Sequence, residues 1–332
     1  MIEGSHQGGA SQQRALARAQ SWAATRTHAA SEYPLERILA MKGDTTVSVV
    51  IPAKSVAATI VGVAGECVAL REAGAVDEVL VIDANSPDDT AVIAEQAGAT
   101  VHPEDALLTQ YGAVLGKGDA LWRSLSVATG KLVVFVDGDT EGFGRHFVTG
   151  LIGPLLDDPQ IRLVKGSFRR PFKNGDMRVA DGGGRVNELA ARPLLNVFFP
   201  ELAAVNQPLA GELAARRDAL VQLPFCTGYG TEIQLLIDFY MRFGLDAIAQ
   251  TNLGERINSH QPLHDLGAMA FAVTRAVLAR VEELELEYAD HGEFLNYVQG
   301  ELRVRDSELT ERPPANLLEP TGAGSFGVSD GA

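Results

Sequence analysis

Apolar residues in the first half of the chain switch between two spacings. From Thr46 onward Val47, Val49 and Ile51 recur at every second position and stop at Pro52-Ala53-Lys54-Ser55, which predicts a strand running into a turn. Helical spacing then holds to about Ala73. Glu78 to Ile82 predicts a second strand, apolar on both faces, followed by Asp83-Ala-Asn-Ser-Pro-Asp-Asp-Thr90, whose turn residues, proline and acids suit a helix start. That helix reaches Gly98, and Thr100 to His102 predicts a third, short strand. The order β-α-β-α-β specifies a parallel sheet with crossover helices. Ahead of it, residues 14–42 mix Ala and Arg with apolar positions, as one or two helices leaning on the domain.

Further on, Pro103 to Leu115 carries few periodic signals and is a candidate mobile loop. Gly116-Lys117-Gly118-Asp119 opens a helix with Leu121, Leu125 and Ala128 on one face. The central signal follows: Leu132 to Val136, suited to a strand buried on both faces, runs straight into Asp137, Gly138 and Asp139. A helix is predicted at Phe147 to Leu156 and a strand at Arg162 to Gly166. Pro208 to Glu212 is read as leading into another helix. Phe225 to Glu232 precedes a helix with apolar face Ile233, Leu236, Ile237 and Tyr240. Ala247 to Asn252 is a strand, and Leu266 to Glu287 is helical.

Composition narrows the class of partner. A net charge of −15 and a pI near 4.9 argue against nucleic acid or an anionic membrane surface, since both reward a basic face. An anionic ligand would need a local cluster of cations, helix N-termini or a metal. Two cysteines, Cys67 and Cys226, give neither a disulfide framework nor a metal spacing. No apolar run has the length of a membrane span, and the N-terminus has no signal-peptide core, so a soluble cytoplasmic protein is expected. Gly/Ser-rich residues 1–13 and 321–332 are expected to be disordered tails.

The chemistry concentrates in a few stretches. Two carboxylates at the end of a buried strand repel each other unless a cation or a ring of donors sits between them, and Gly138 lets the backbone approach a ligand. The pair therefore suits a hard divalent cation with positions open for phosphate oxygens. Lys117, beside two glycines at a helix start, can bind a diphosphate through charge and backbone N–H groups, although the spacing is not that of a Walker motif. Ser167 to Lys173, with Arg169 and Arg170, is locally basic. Gly182-Gly183-Gly184-Arg185 before a helix containing Asn187 and Glu188 offers converging donors for a phosphate. Glu232 stands in the first turn of its helix, where stabilising the helix dipole is the plain alternative. Arg256, His260 and His264 follow the last strand; either histidine could complete a metal site with Asp139.

In combination these segments resemble the nucleotide-sugar glycosyltransferases of the GT-A fold, a mostly parallel mixed α/β sheet flanked by helices. More narrowly they resemble the glucosyl-3-phosphoglycerate and mannosyl-3-phosphoglycerate synthases. The resemblance rests on Val49-Val-Ile-Pro-Ala53, Ile82-Asp-x-x-Ser86-x-Asp-Asp-Thr90, Gly116-Lys-Gly-x-Ala-Leu-Trp-Arg-Ser-Leu125, Asp137-x-Asp139, Gly182-Gly-Gly-Arg-Val186, Ala191-Arg-Pro-Leu-Leu195, Gln207-Pro-Leu-x-Gly-Glu212, Gly228-Tyr-Gly-x-Glu-Ile233 and Asn252-Leu-Gly254.

The resemblance implies a nucleotide-sugar half at 46–165, an acceptor half at 166–265, a helical extension at 14–45 and a C-terminal helical segment at 266–320. It implies that Pro52, Ala53, Lys54, Ser86, Gly138 and Leu209 line the donor site, with Lys117 at the diphosphate, Asp137 at the ribose or sugar, and Glu232 at the donor sugar. Asp139 would ligate Mg²⁺ or Mn²⁺. Arg169, Gly184, Arg185 and Asn187 would hold the phosphate of 3-phosphoglycerate, with Asp139, Glu232 and Lys117 forming the catalytic set. The family's third metal ligand is a histidine, but its aligned position here is Asn258, leaving His260 and His264 both open. Family members that use UDP-glucose carry Asn-Glu where this chain has Ser55-Val56, so GDP-mannose, or relaxed use of GDP sugars, is the first expectation and UDP- or GDP-glucose the alternative. The product would belong to compatible-solute synthesis. A sugar nucleotidyltransferase and a non-catalytic sugar-nucleotide-binding module are the more distant readings, and a homodimer is expected on frequency alone.

Overall fold

The computed structural model describes residues 5–170, 172–174, 177–179, 183–256, 263–286, 293–298 and 300–306. Strands β1 (Thr27–Ala29), β2 (Val47–Ala53), β3 (Glu78–Asp83), β4 (Thr100–Pro103), β5 (Leu132–Phe135), β6 (Leu163–Arg169), β9 (Leu213–Arg216) and β10 (Ile248–Glu255) make one sheet in the order β1-β10-β6-β9-β5-β2-β3-β4. Two short hairpins stand apart from it, β7 (Phe172–Asn174) with β8 (Met177–Val179), and β11 (Glu293–Val298) with β12 (Glu301–Asp306). Every pairing in the large sheet is parallel except that of β9, which runs antiparallel between β5 and β6. Helices α1 (Ser5–Thr25), α2 (Leu35–Lys42), α3 (Ala57–Glu72), α4 (Thr90–Gln96), α5 (Lys117–Ser124), α6 (His146–Asp157), α7 (Arg192–Phe198), α8 (Arg217–Leu220), α9 (Thr231–Phe243) and α10 (Leu263–Glu283) cover its faces.

Two apolar clusters, one on each face, sandwich the sheet. One packs Val49, Ile51 and Val81 against Ile60, Val63 and Leu151; the other packs Val50 and Phe135 against Leu121, Ile233 and Leu236. Burial on both faces is why the central strands read as unbroken apolar runs instead of alternating ones. The order β4-β3-β2-β5 places the C-terminal ends of four parallel strands side by side, with Ala53, Asp83 and Pro103 in register. In such sheets ligands bind at that edge.

Four expectations are corrected. The stretch after Glu212 is strand β9, not a helix: its alanines fill the slot between β5 and β6. The N-terminal extension adds β1 to the sheet, and Trp22 of α1 is buried with its indole N–H on the carbonyl of Ile248 at 2.8 Å. Helix α1 begins at Ser5, so residues 5–13 of the expected tail are helical. In the C-terminal segment, α10 is followed by the β11–β12 hairpin, tied to α7 by the paired hydrogen bonds of Asn196 with the backbone of Leu295, at 2.8 and 3.1 Å. Among the described residues no helix is long and apolar enough to cross a membrane.

Candidate active site

A cleft of about 890 Å³ opens along the C-terminal edge of the sheet. Its centre is the tip of β5. Lys117, at the start of α5, places its Nζ 2.6 Å from Asp137 and 2.9 Å from Glu232. Two glycines permit this. A Cβ at Gly118 would come within 2.0 Å of the Cys226 carbonyl oxygen, so α5 packs directly on the segment that delivers Glu232. A Cβ at Gly211 would stand 2.5 Å from the Lys117 nitrogen and 2.6 Å from both Asp137 oxygens. The ion pair therefore occupies the space a side chain at 211 would need.

Arg256, at the end of β10, completes the cluster. Its guanidinium donates to Asp137 at 2.9 Å, Asp139 at 3.1 Å and Glu212 at 2.9 Å. Burial alone would favour the neutral form of each member, and the pairing overrides it in three of them. Lys117 is pushed up despite its burial, by Asp137 and Glu232, and Arg256 is raised against burial by Glu212, Asp137 and Asp139. Asp137 is held well below the usual carboxylate range, because Lys117 and Arg256 outweigh its burial. Glu212 goes the other way: burial raises it, with Asp137 adding to the rise and Arg256 opposing it. Lys165, buried beneath the tip with its Nζ 2.6 Å from the Ala210 carbonyl, is lowered to about 8 chiefly by burial. Asp139 is the accessible member, its side chain 54% exposed at the cleft.

Pro52, Ala53, Lys54, Gly138 and Leu209 line the cleft, together with Gly184, Arg185 and Asn187. Gly184 takes the left-handed conformation, φ +72°, that turns the chain into the helix bearing Asn187. A π-helical turn over Asn187–Ala191 opens that helix. Asn187 is spent on its own chain: its Nδ2 donates to Glu188 at 2.9 Å, and its Oδ1 accepts the Leu209 N–H at 3.4 Å.

Two expected residues are not brought into the cleft. Ser86 accepts the Ser55 N–H at 2.9 Å and so braces Ser55, which has φ +53°, at the end of β2. Arg169 is 59% exposed and pairs with Glu255 at 3.0 Å, because it ends β6 on the solvent side. Its neighbour Arg170 lines the cleft instead, stacked over Phe168 at 4.9 Å. His260 lies outside the described residues, and His264 falls in α10, where its side chain is not described. Among the described residues no three His, Cys, Asp or Glu form a metal-sized group.

Sequence reasoning gave no role to Arg256, Lys165, Glu212 or Glu104, all buried at the cleft or beneath it. The loop predicted to be mobile is also pinned. Arg123, buried, donates to the carbonyls of Leu107, Leu108 and Gly112 and to Asp119, which in turn accepts the Leu115 N–H.

Residues 48–180 match the family model of glycosyl transferase family 2. The glucosyl-3-phosphoglycerate synthase of Mycolicibacterium paratuberculosis is 42% identical over 309 residues, covering 90% of this chain and 93% of that protein. The crystal structure of mannosyl-3-phosphoglycerate synthase from Rubrobacter xylanophilus superposes with a TM-score of 0.75 at 41% identity, over 90% of this chain and 98% of that one. That of glucosyl-3-phosphoglycerate synthase from Mycobacterium tuberculosis, in complex with Mn²⁺, UDP-glucose and phosphoglyceric acid, does so with a TM-score of 0.70 at 42% identity, over 86% and 95%. An eight-stranded mixed sheet with a carboxylate pair at its central tip, matched at this identity over nine-tenths of the chain, is the GT-A arrangement, and the chain belongs to the glucosyl-3-phosphoglycerate synthase family of glycosyltransferases.

Proposed function

We propose that the chain transfers a glucosyl group from a nucleoside diphosphate glucose to the 2-hydroxyl of 3-phosphoglycerate, with retention of configuration. The observation that carries this reading is one cleft with two kinds of anion-holding end. Lys117 and the carboxylate tip stand at its centre, and the Gly184–Arg185 turn closes the acceptor side. Glucose is preferred to mannose as the transferred sugar because the curated relatives are glucosyl synthases at up to 48% identity, which reverses the order drawn from Ser55-Val56. The sugar's diphosphate would meet Lys117, whose positive charge the surrounding carboxylates secure at any working pH, so it can offset charge on the departing group.

Asp139, with its carboxylate open to the cleft, fits a hard divalent ion such as Mg²⁺ or Mn²⁺, with His260 or His264 as the further protein ligand. When bound, such an ion supplies Lewis-acid neutralisation of the leaving diphosphate. Asp137, fixed between Lys117 and Arg256, would orient the ribose or sugar, and Glu232 would hold the sugar's hydroxyls. Arg185 would take the acceptor's phosphate in bidentate contact. Arg170, rather than Arg169, supports that end, and Asn187 holds Leu209 in place.

Nucleoside diphosphate release is the test, measured with UDP-glucose, GDP-glucose, UDP-mannose and GDP-mannose in Mg²⁺ with and without 3-phosphoglycerate. Acceptor-dependent release from a glucose donor at the highest rate supports the reading. Release fastest from GDP-mannose transfers the assignment to the mannosyl synthase, and release independent of acceptor removes it. Arg185→Ala should raise the KM for 3-phosphoglycerate by about tenfold or more, with kcat changed much less.

A further inference from the structure

At the far end of the cleft from the carboxylate tip stands a carboxyl group that the fold leaves without a partner. Glu104 follows directly on β4 and is 2% exposed, yet it lines the cleft beside Lys54, Ile82, Ala84 and Asn85. Its Oε1 has no hydrogen-bond partner among the described residues. Arg123 and Lys54 act on it only through their charge, and the Arg123 guanidinium is committed to Asp119 and to three loop carbonyls. A buried polar atom left unsatisfied costs stability and calls for an explanation. Asp83 also keeps one oxygen unpartnered, but its other oxygen accepts the Ser86 N–H and the residue does not line the cleft.

Sheet topology says what Glu104 would meet. Strand β4 is three strands from β5 in the order β5-β2-β3-β4, about 14 Å at the usual inter-strand spacing. That is about the reach of an extended nucleoside diphosphate whose phosphates lie at Lys117 and the carboxylate tip. Pro52, Ala53 and Ile82 supply apolar walls between the two ends. The base therefore falls at the ends of β3 and β4.

Resting on the donor reading given under Proposed function, we infer that Glu104 reads the nucleobase: its carboxylate accepts the ring N–H of a lactam base, uracil N3–H or guanine N1–H. Cytosine and adenine present a lone pair at that atom, which a carboxylate repels. The same contact explains why an unpaired acid persists here, since the ligand supplies the missing donor.

Equilibrium binding with Mg²⁺ at pH 8, where the Glu104 carboxyl, raised to about 7, is ionised, tests this, using whichever of UDP and GDP binds the wild-type protein more tightly and its counterpart, CDP or ADP. The wild type should favour the lactam base by about tenfold or more, and Glu104→Met, which keeps the chain length and removes the acceptor, should narrow that preference to about threefold or less. A ring-N-methylated analogue, N3-methyl-UDP or N1-methyl-GDP, should bind the unmutated protein about tenfold more weakly, a measurement independent of how the variant folds. Equal binding of the two bases by the wild type, an undiminished preference in Glu104→Met, or tolerance of the methyl group would overturn the assignment while leaving the donor reading intact. Failure of the wild type to bind any of these nucleotides would overturn both.

Discussion

At Gly211 the absence of a side chain is what lets Lys117 and Asp137 meet, since a Cβ there would overlap both partners of the pair. Gly211→Ala should push the charged groups apart by about an ångström, a displacement that costs on the order of 10²-fold in rate when it falls on reacting groups. Stability should fall by only about 1–3 kcal/mol, because flexible side-chain ends can yield. Turnover measured beside urea denaturation checks this, and near-normal turnover would place the pair away from the chemistry. Glu104 gives a residue-scale prediction of the opposite kind. Burial, with Asp119 adding to it, raises its carboxyl to about 7, whereas an unfolded chain loses that proton near 4.5. Between those values the native state holds the extra proton, so this group's contribution to stability falls as pH rises through the window and stays low above it. Glu104→Gln removes the effect. The variant's stability advantage over the wild type should grow by about 1–3 kcal/mol between pH 5 and pH 8, and a constant difference would mean that the carboxyl is not perturbed in the native state.

The same contrast between local pattern and tertiary context governs whole elements. β2, β3 and β5 are legible because strands buried on both faces leave continuous Val/Ile/Leu runs, and the carboxylate tip because two acids follow such a run. β9 is not: Leu-Ala-Ala-Arg favours a helix in isolation, and only the unpaired edges of β5 and β6 make it a strand. β1 is three residues long, too short to carry a period. Arg256, Lys165 and Glu104 are single charged residues in segments whose spacing says nothing about a cleft, and only the fold assembles them. The segment from Leu107 to Gly112 reads as mobile for want of pattern, yet one buried side chain holds it. Arg123→Met keeps the aliphatic stem while orphaning three carbonyls and Asp119, so it should cost about 3–5 kcal/mol. Amide exchange should accelerate in residues 107–115 and stay slow in the central strands. Uniform acceleration throughout the chain would show that Arg123 supports the whole domain and not this loop.

For the molecule as a whole, a chain of net charge −15 gathers Lys117, Lys165, Arg170, Arg185 and Arg256 around one cleft. Their mutual repulsion is offset in part by Asp137, Asp139, Glu212 and Glu232, so the site is densely charged with both signs. The cleft is lined from both halves of the sheet, by the ends of β2 and β3 on one side and by Gln207, Leu209 and α9 on the other, so a nucleotide bound as proposed would bridge them. Ligand binding should therefore be read out as global stabilisation. At a ligand concentration about a hundredfold above Kd, linkage gives about 2.7 kcal/mol. For a chain of this length that corresponds to a rise in Tm of about 4 °C, taking the usual entropy of unfolding per residue. UDP or GDP should produce this rise only when Mg²⁺ or Mn²⁺ is present. In Asp139→Asn the metal-dependent part should disappear while the Tm without ligand stays close to the wild type, because the Asp139 side chain is half exposed and Arg256 keeps its contacts with Asp137 and Glu212. A full metal-dependent shift in that variant would move the cation away from the tip of β5, and with it the diphosphate.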